Sequence, residues 1–388
     1  MNFQKLITLV ALIMALTFAF ACRKNKTPGA PTNATATPET SRQPEAEAIP
    51  ATYFKGSIGS TSDLQMKLVR DGEKLTGSYF YRKVGARIDL KGTIDKEGNV
   101  TLEEFDAGGK QTGVFKGLWK TDNEDGRASI AGNWSRPGGE NKTAFSLHEE
   151  PIQFTGAAEI VAKQIKESNK KLNYTIDIEY PEVTGAVDNR FAKFNQEAKD
   201  LVMRQVAAFK KARADAAKFA AQATSPPETP TLSGMASDLS GGYTIVIAND
   251  NLISIQYDIG GYSAGDAHNN SNSSVLNYDV KADKVLNLAD LFKPDAKYLQ
   301  AISAYCIGDL KKQSKKNGNS LPDELIQVGA APNVRNYKSW TVSKKGLAIT
   351  FDAYQVGPYV SGPQSVLVPY AALKDLIKLD GPIGAFPR

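Results

Sequence analysis

The chain runs to 388 residues and carries 47 lysines and arginines against 42 aspartates and glutamates, a formal net charge of +5. So slight an imbalance, with no long basic run, argues against nucleic acid as a partner. Two cysteines (Cys22, Cys306) and two histidines (His148, His268) offer neither a disulfide framework nor a histidine-rich zinc or iron site. No metal and no cofactor is expected.

Lys5 precedes an uncharged apolar run over 6–21, and small residues lead up to Cys22. This is the pattern of a signal peptide over 1–21. The run is shorter than the about 20 residues that a spanning helix needs, so a transmembrane anchor is the alternative. Ala19-Phe20-Ala21-Cys22 resembles a bacterial lipobox, with Ala19 where leucine is usual. Cys22 is accordingly expected to be lipidated and to hold the chain to a membrane, since two or more acyl chains anchor stably. An ordinary signal-peptidase cut would instead release a soluble secreted product. Arg23 after the cysteine points to the outer membrane of a double-membraned cell. Residues 22–50, with Pro28, Pro31, Pro38, Pro44 and Pro50 and few large apolar side chains, read as a disordered tether. The expected location is the cell envelope, outside the cytoplasm.

From 51 to 150 the pattern is all-β. Short alternating runs at 63–70, 74–81, 87–94, 112–119 and 127–135 are separated by turn signals such as Asp71-Gly72 and Asp125-Gly126. An apolar-x-Gly unit recurs at Gly56, Gly77, Gly92, Gly117 and Gly132, and the equal Gly77-to-Gly92 and Gly117-to-Gly132 spacings hint at an internal duplication. Glycine inside a strand marks a bend or a close backbone approach, as at the corners of a small barrel. Roughly eight antiparallel strands in a closed or nearly closed meander are expected.

Residues 155–282 and 283–380 read as two α+β domains with helices on an antiparallel sheet, so the whole is multidomain. A strand over 174–180 stops at Pro181. Phe191, Phe194, Ala198, Leu201, Val202 and Phe209 then fall at helical spacing. Runs 243–248 and 252–258 form a hairpin across Asn249-Asp250-Asn251, and 275–280 is a further strand. Residues 288–292 turn into a helix over 295–313; strands follow at 340–342, 347–351 and 366–368, and a terminal helix at 371–378.

The strand ending at Pro181, the helix after Asn189, Ile253 to Tyr257, Gly261-Tyr262, His268 and Leu276 to Asp279 together resemble a PdaC-type extracellular domain. Leu288 to Phe292, Trp340, Gly346 to Phe351, Tyr354, Gly357-Pro358-Tyr359 and Pro369-Tyr370 resemble the RsiV-type C-terminal domain that follows it. The resemblance covers about 170–378 and leaves the β domain outside. It implies the paired domains that sense lysozyme in RsiV-type proteins and precede a polysaccharide deacetylase in PdaC-type proteins. Only five residues precede the apolar run, so no sigma-binding domain is expected.

Deacetylases of that class carry Thr-Phe-Asp-Asp-Gly, whereas Thr350-Phe351-Asp352-Ala353-Tyr354 has alanine where a metal-binding aspartate is needed. His268, beside Asp266 in a polar loop, has no Gly-x-Ser-x-Gly elbow to serve. Cys306 sits among Ala301, Ile302, Ala304 and Ile307 as a small buried hydrophobe would. No catalytic residue is assigned, and a non-enzymatic chain is expected. The candidate binding residues are Tyr262, Asp266 and His268 in one loop, and Tyr354 and Tyr359 in a stiff Gly-Pro loop, tyrosine being a favoured interface residue. The expected function is that of an envelope lipoprotein binding a protein or cell-wall glycan partner, lysozyme-like or peptidoglycan-related by resemblance. Two alternatives are a small-molecule or lipid carrier that uses the barrel interior, with Tyr79, Tyr81, Trp119 and Trp134 lining it, and an unrecognised cell-wall hydrolase with paired carboxylates.

Overall fold

The computed structural model describes residues 49–81, 86–122, 127–139, 141–222, 236–263, 266–317 and 321–386. The apolar leader, Cys22 and the tether up to residue 48 lie outside them.

Eight strands, β1 (Ala51–Ile58), β2 (Ser62–Asp71), β3 (Lys74–Tyr81), β4 (Arg87–Ile94), β5 (Asn99–Phe105), β6 (Gln111–Thr121), β7 (Ala128–Ser135) and β8 (Thr143–Glu150), form a closed antiparallel barrel. The barrel shuts where β1 pairs with β8. The expected meander is therefore present and fully closed. Glycine makes the tight curl possible: a Cβ on Gly92 would lie 1.9 Å from the Thr101 carbonyl oxygen, so the neighbouring backbone occupies the space of a side chain. Gly117 lies directly opposite Gly132, whereas Gly77 lies opposite Leu90, so the equal spacings serve different registers.

Alternate side chains fill the barrel. Phe54, Leu64, Met66, Leu68, Tyr79, Phe115, Ile130 and Leu147 are all buried there, and Phe115 meets Tyr79 and Phe145 edge-on. Eight strands enclose an interior just wide enough for side chains. The lining proposed for a carrier is used as core: Trp119 packs edge-on against Phe54, and Tyr79 and Trp134 donate to the buried Glu104 carboxylate at 2.5 and 3.0 Å.

A second sheet has the order β10 (Glu159–Asn169), β11 (Tyr174–Thr184), β12 (Ser237–Asn249), β13 (Leu252–Gly261), β14 (Asn270–Asp279) and β15 (Lys284–Val285), with β9 (Ile152–Gln153) beside β12. Its pairings are antiparallel apart from β11 with β12 and β9 with β12. Helix α1 (Ala192–Gln222) buries Phe194, Ala198, Val202 and Val206, successive positions of one helical face, in the core cluster this sheet forms. Strand β11 does not stop at Pro181 but runs on to Thr184. Its parallel pairing with β12 ends at Ile178, so the strand is a free edge on that side, where proline is tolerated.

The C-terminal part joins α2 (Tyr298–Asn317), α3 (Asp323–Gly329) and a three-stranded sheet of β16 (Trp340–Val342), β17 (Gly346–Phe351) and β18 (Gln364–Pro369) around a third core. The terminal helix expected over 371–378 is not formed. Its backbone is drawn instead to the opposite strand-like segment, where Phe292 bridges Ile377, Lys293 N–H donates to Leu376 O, and Lys378 N–H to Leu291 O. Tertiary pairing outcompetes the local pattern.

These parts belong to one compact unit from Ala48 to Arg388. Tyr53, on β1, donates to Ala158 O at 2.9 Å and joins the core of the second sheet. The second and third sheets meet through a buried polar joint. Ser254 donates to Asn277 Oδ1 at 2.5 Å and accepts from Val342 N–H at 2.8 Å, while Asn277 Nδ2 donates to Trp340 O at 2.8 Å. Fully satisfied buried networks of this kind fix one relative placement of the elements that they join.

Candidate functional site

At the exposed end of that seam the structure brings together residues from both candidate loops. The Tyr354 segment follows β17, and the His268 segment precedes β14. The ring of His268 stacks on Tyr359 with centroids 3.7 Å apart and planes 19° from parallel. Tyr354 lies 5.4 Å from Tyr359. His268 Nδ1 is 3.0 Å from the Asn269 carbonyl and Nε2 is 3.3 Å from the Tyr354 hydroxyl. A carbonyl only accepts, so Nδ1 carries a proton; in the neutral ring Nε2 then accepts from the Tyr354 hydroxyl. Tyr359 Oη donates to the same Asn269 carbonyl at 2.7 Å.

The platform is held from beneath. Asp352 Oδ1 accepts from Ser273 N–H at 3.0 Å and from its hydroxyl at 2.6 Å, which ties the end of β17 to β14. Gln355 points inward and donates from Nε2 to Gly329 O and Asn336 O, at 3.0 and 2.9 Å. Gly329 has no room for a Cβ, which would stand 1.8 Å from the Gln355 carbonyl oxygen. Clamped so, Tyr354 adopts a φ of 70°, left-handed backbone that a bulky residue rarely enters. Such conformations persist where the surroundings over-determine them, and they cluster at functional sites. Tyr354 remains 62% exposed and Val360, next to Tyr359, 90%, so the platform presents apolar area to solvent.

Tyr262 and Asp266 have other roles. The Tyr262 carbonyl accepts from Asp238 N–H. Asp266 closes its own turn, accepting from Ser263 N–H at 3.3 Å and Asn270 Nδ2 at 3.0 Å, beside a separate cavity of about 270 Å³. Of the five candidate side chains, His268, Tyr354 and Tyr359 form one cluster. Sequence reasoning missed Gln355, Ser273 and Asn269, and it noted Asp352 without its partner. Nothing in their local pattern marks them, because each makes at least one of its contacts to a residue distant in the chain.

A family model described as "Protein of unknown function (DUF3298)" matches residues 289–371, which include Tyr354 and Tyr359. Over 142 residues the chain is 30% identical to the peptidoglycan-N-acetylmuramic acid deacetylase PdaC of Bacillus subtilis (strain 168). That alignment covers 37% of this chain, and the chain spans about 30% of the length of that relative. This relative overturns the expectation of a non-enzymatic chain, because it is itself a deacetylase. Two solved structures are also similar. A DUF3298 family member from Bacteroides fragilis NCTC 9343 is 19% identical, with 60% of this chain and 97% of that one covered and a TM-score of 0.43. A DUF3298 family protein from Pseudomonas aeruginosa PAO1 is 16% identical, with 57% and 94% covered and a TM-score of 0.40.

Other candidate chemistry is placed as follows. Cys306 is fully buried, and burial, with Asp309 nearby, pushes its thiol up to about 12. The nucleophilic thiolate is thereby suppressed. His148 lies on β8, with Nε2 3.3 Å from the Ser146 hydroxyl. Among the described residues, no group of three or more His, Cys, Asp or Glu side chains is placed to hold a metal ion.

Proposed function

We propose that this is an exported, lipid-anchored protein of the cell envelope that recognises the glycan of peptidoglycan through the His268–Tyr354–Tyr359 platform. In this reading 283–380 acts as an RsiV-type domain paired with a PdaC-type domain over 155–282. The observation that carries it is the exposed, prestressed aromatic cluster. Its tyrosines stand in the DUF3298 match, and the chain is 30% identical over 142 residues to a peptidoglycan deacetylase. A pyranose ring offers an apolar C–H face and a rim of hydroxyls; the flat face of a tyrosine buries the first, and its hydroxyl serves the second. Rigid side chains with few rotors make such contacts at low entropic cost. Lipidated Cys22 and the tether would hold the platform close to the wall.

The test is calorimetric titration of the chain with purified muropeptides and N-acetylated glycan oligomers, with a lysozyme as the protein comparator. Tyr354→Ala combined with Tyr359→Ala should weaken glycan binding tenfold or more, since a buried aromatic anchor commonly contributes about 2 kcal/mol. Unchanged affinity in the double variant would remove the platform from the site. Heat from the lysozyme alone would replace the glycan with a protein partner.

A further inference from the structure

A second recess lies between the barrel and the second sheet, far in sequence from the platform. It encloses about 350 Å³. One wall is the outer face of the barrel: Gln65 and Lys67 on β2, Ser78 and Phe80 on β3. These are alternate residues, so their side chains share the face turned away from the barrel interior. The opposite wall is β10, which contributes Ile160, Val161, Ala162 and Lys163 in succession. Successive strand side chains point to opposite faces, so four in a row line one cavity only when it meets the strand edge-on.

That edge is unpaired. Strand β10 bonds to β11 along its whole length and to no other strand among the described residues. Every second residue of an antiparallel edge turns its N–H and C=O outward. Across the recess, Gln65 is only 6% exposed. Its Nε2 donates to Glu150 at 3.1 Å, and because a carboxylate only accepts, this fixes the amide with Oε1 on the other side. Oε1 is buried with no hydrogen-bond partner. A buried acceptor left without a donor is costly, and a ligand N–H would satisfy it. Charges of both signs line the recess, Lys67 and Lys163 with Glu150 and Glu159.

We propose that this recess binds a short extended peptide of about three residues, the length that spans Ile160 to Lys163 at strand rise. The peptide adds to β10 as an extra strand and donates one N–H to Gln65 Oε1. Strand addition takes its affinity from main-chain hydrogen bonds. A glycan cannot continue the ladder, because it lacks the regular alternation of N–H and C=O. The mixed charges suit a peptide whose terminal ammonium and carboxylate are both free. This site does not depend on the glycan platform.

The experiment titrates the full chain, solubilised in detergent, with trialanine, with trialanine N-methylated at the amide nitrogen of its second residue or of its third, and with an N-acetylglucosamine trimer. Trialanine should bind. N-methylation, which removes a ladder donor, should weaken it about tenfold, and Gln65→Leu by a similar factor, as expected for one buried hydrogen bond. Tyr354→Ala with Tyr359→Ala should leave it unchanged, which separates this site from the platform. Absence of trialanine binding, equal binding of both N-methylated peptides, or displacement of trialanine by the trimer would overturn the proposal. The N-methyl comparison uses the unaltered protein, so it decides the matter even if Gln65→Leu fails to fold.

Discussion

Tyr354 shows how one residue can oppose the stability of the fold in order to present a side chain. At a φ of 70° a side chain costs about 1 kcal/mol or more relative to glycine. Tyr354→Gly should therefore keep or raise the Tm while weakening glycan binding, because the ring and its hydroxyl contact to His268 are lost together. A thermal melt and a titration on the same sample check this. A clear fall in Tm would mean that the ring serves packing instead of recognition. Gln355→Ala should instead lower the Tm in the same melt, because its side chain holds two carbonyls of other segments beneath the platform.

At the level of elements, the glycines divide into those that geometry requires and those that it does not. A Cβ at Gly92 would lie 1.9 Å from the Thr101 carbonyl oxygen, whereas one at Gly308, in α2, meets nothing within 4 Å. Gly92→Val should cost about 3 kcal/mol or more, because two paired barrel strands must separate. Gly308→Ala should stabilise by about 0.5–1 kcal/mol, the ordinary gain from replacing a helical glycine. Urea denaturation of the two variants beside the parent measures both. A neutral Gly92→Val would mean that the barrel can open locally without penalty.

For the whole molecule, the buried hydroxyls and the buried thiol set an alkaline limit. Burial raises Tyr257, Tyr53, Tyr337 and Tyr370 above the ordinary 10.0, and takes Cys306 from 9.0 to about 12. In each case the folded state disfavours the ionised form, so the unfolded chain gives up its protons first. Stability from these groups is whole below pH about 9 and declines as pH rises from there to about 12. Denaturation midpoints should fall across that window, with Cys306 unreactive to thiol reagents until the chain unfolds. A midpoint that is flat through the window would contradict the burial of these groups. On the same scale, the proposed anchor makes Cys22→Ser a fractionation test. The parent chain should sediment with membranes, and the variant should be soluble or unprocessed. A wholly soluble parent would dispose of the anchor.

Residues 51–150 were legible as a meander of roughly eight strands because alternation and turn glycines are local signals, whereas full closure was decided by the pairing of the first strand with the last. The amphipathic helix after Asn189, the hairpin across Asn249-Asp250-Asn251 and the buried setting of Cys306 were legible for the same reason. Tertiary structure alone decided that β11 continues past Pro181, since proline is excluded only where a neighbouring strand needs its N–H, and that neighbour has already left. It also decided that 371–378 forgoes a helix to bridge Phe292. The two aromatic loops could each be picked out by composition. Their meeting could not, because His268 and Tyr354 are joined by the Ser254–Asn277–Trp340 joint and by Asp352 with Ser273, contacts between segments distant in the chain that leave no periodic trace in it.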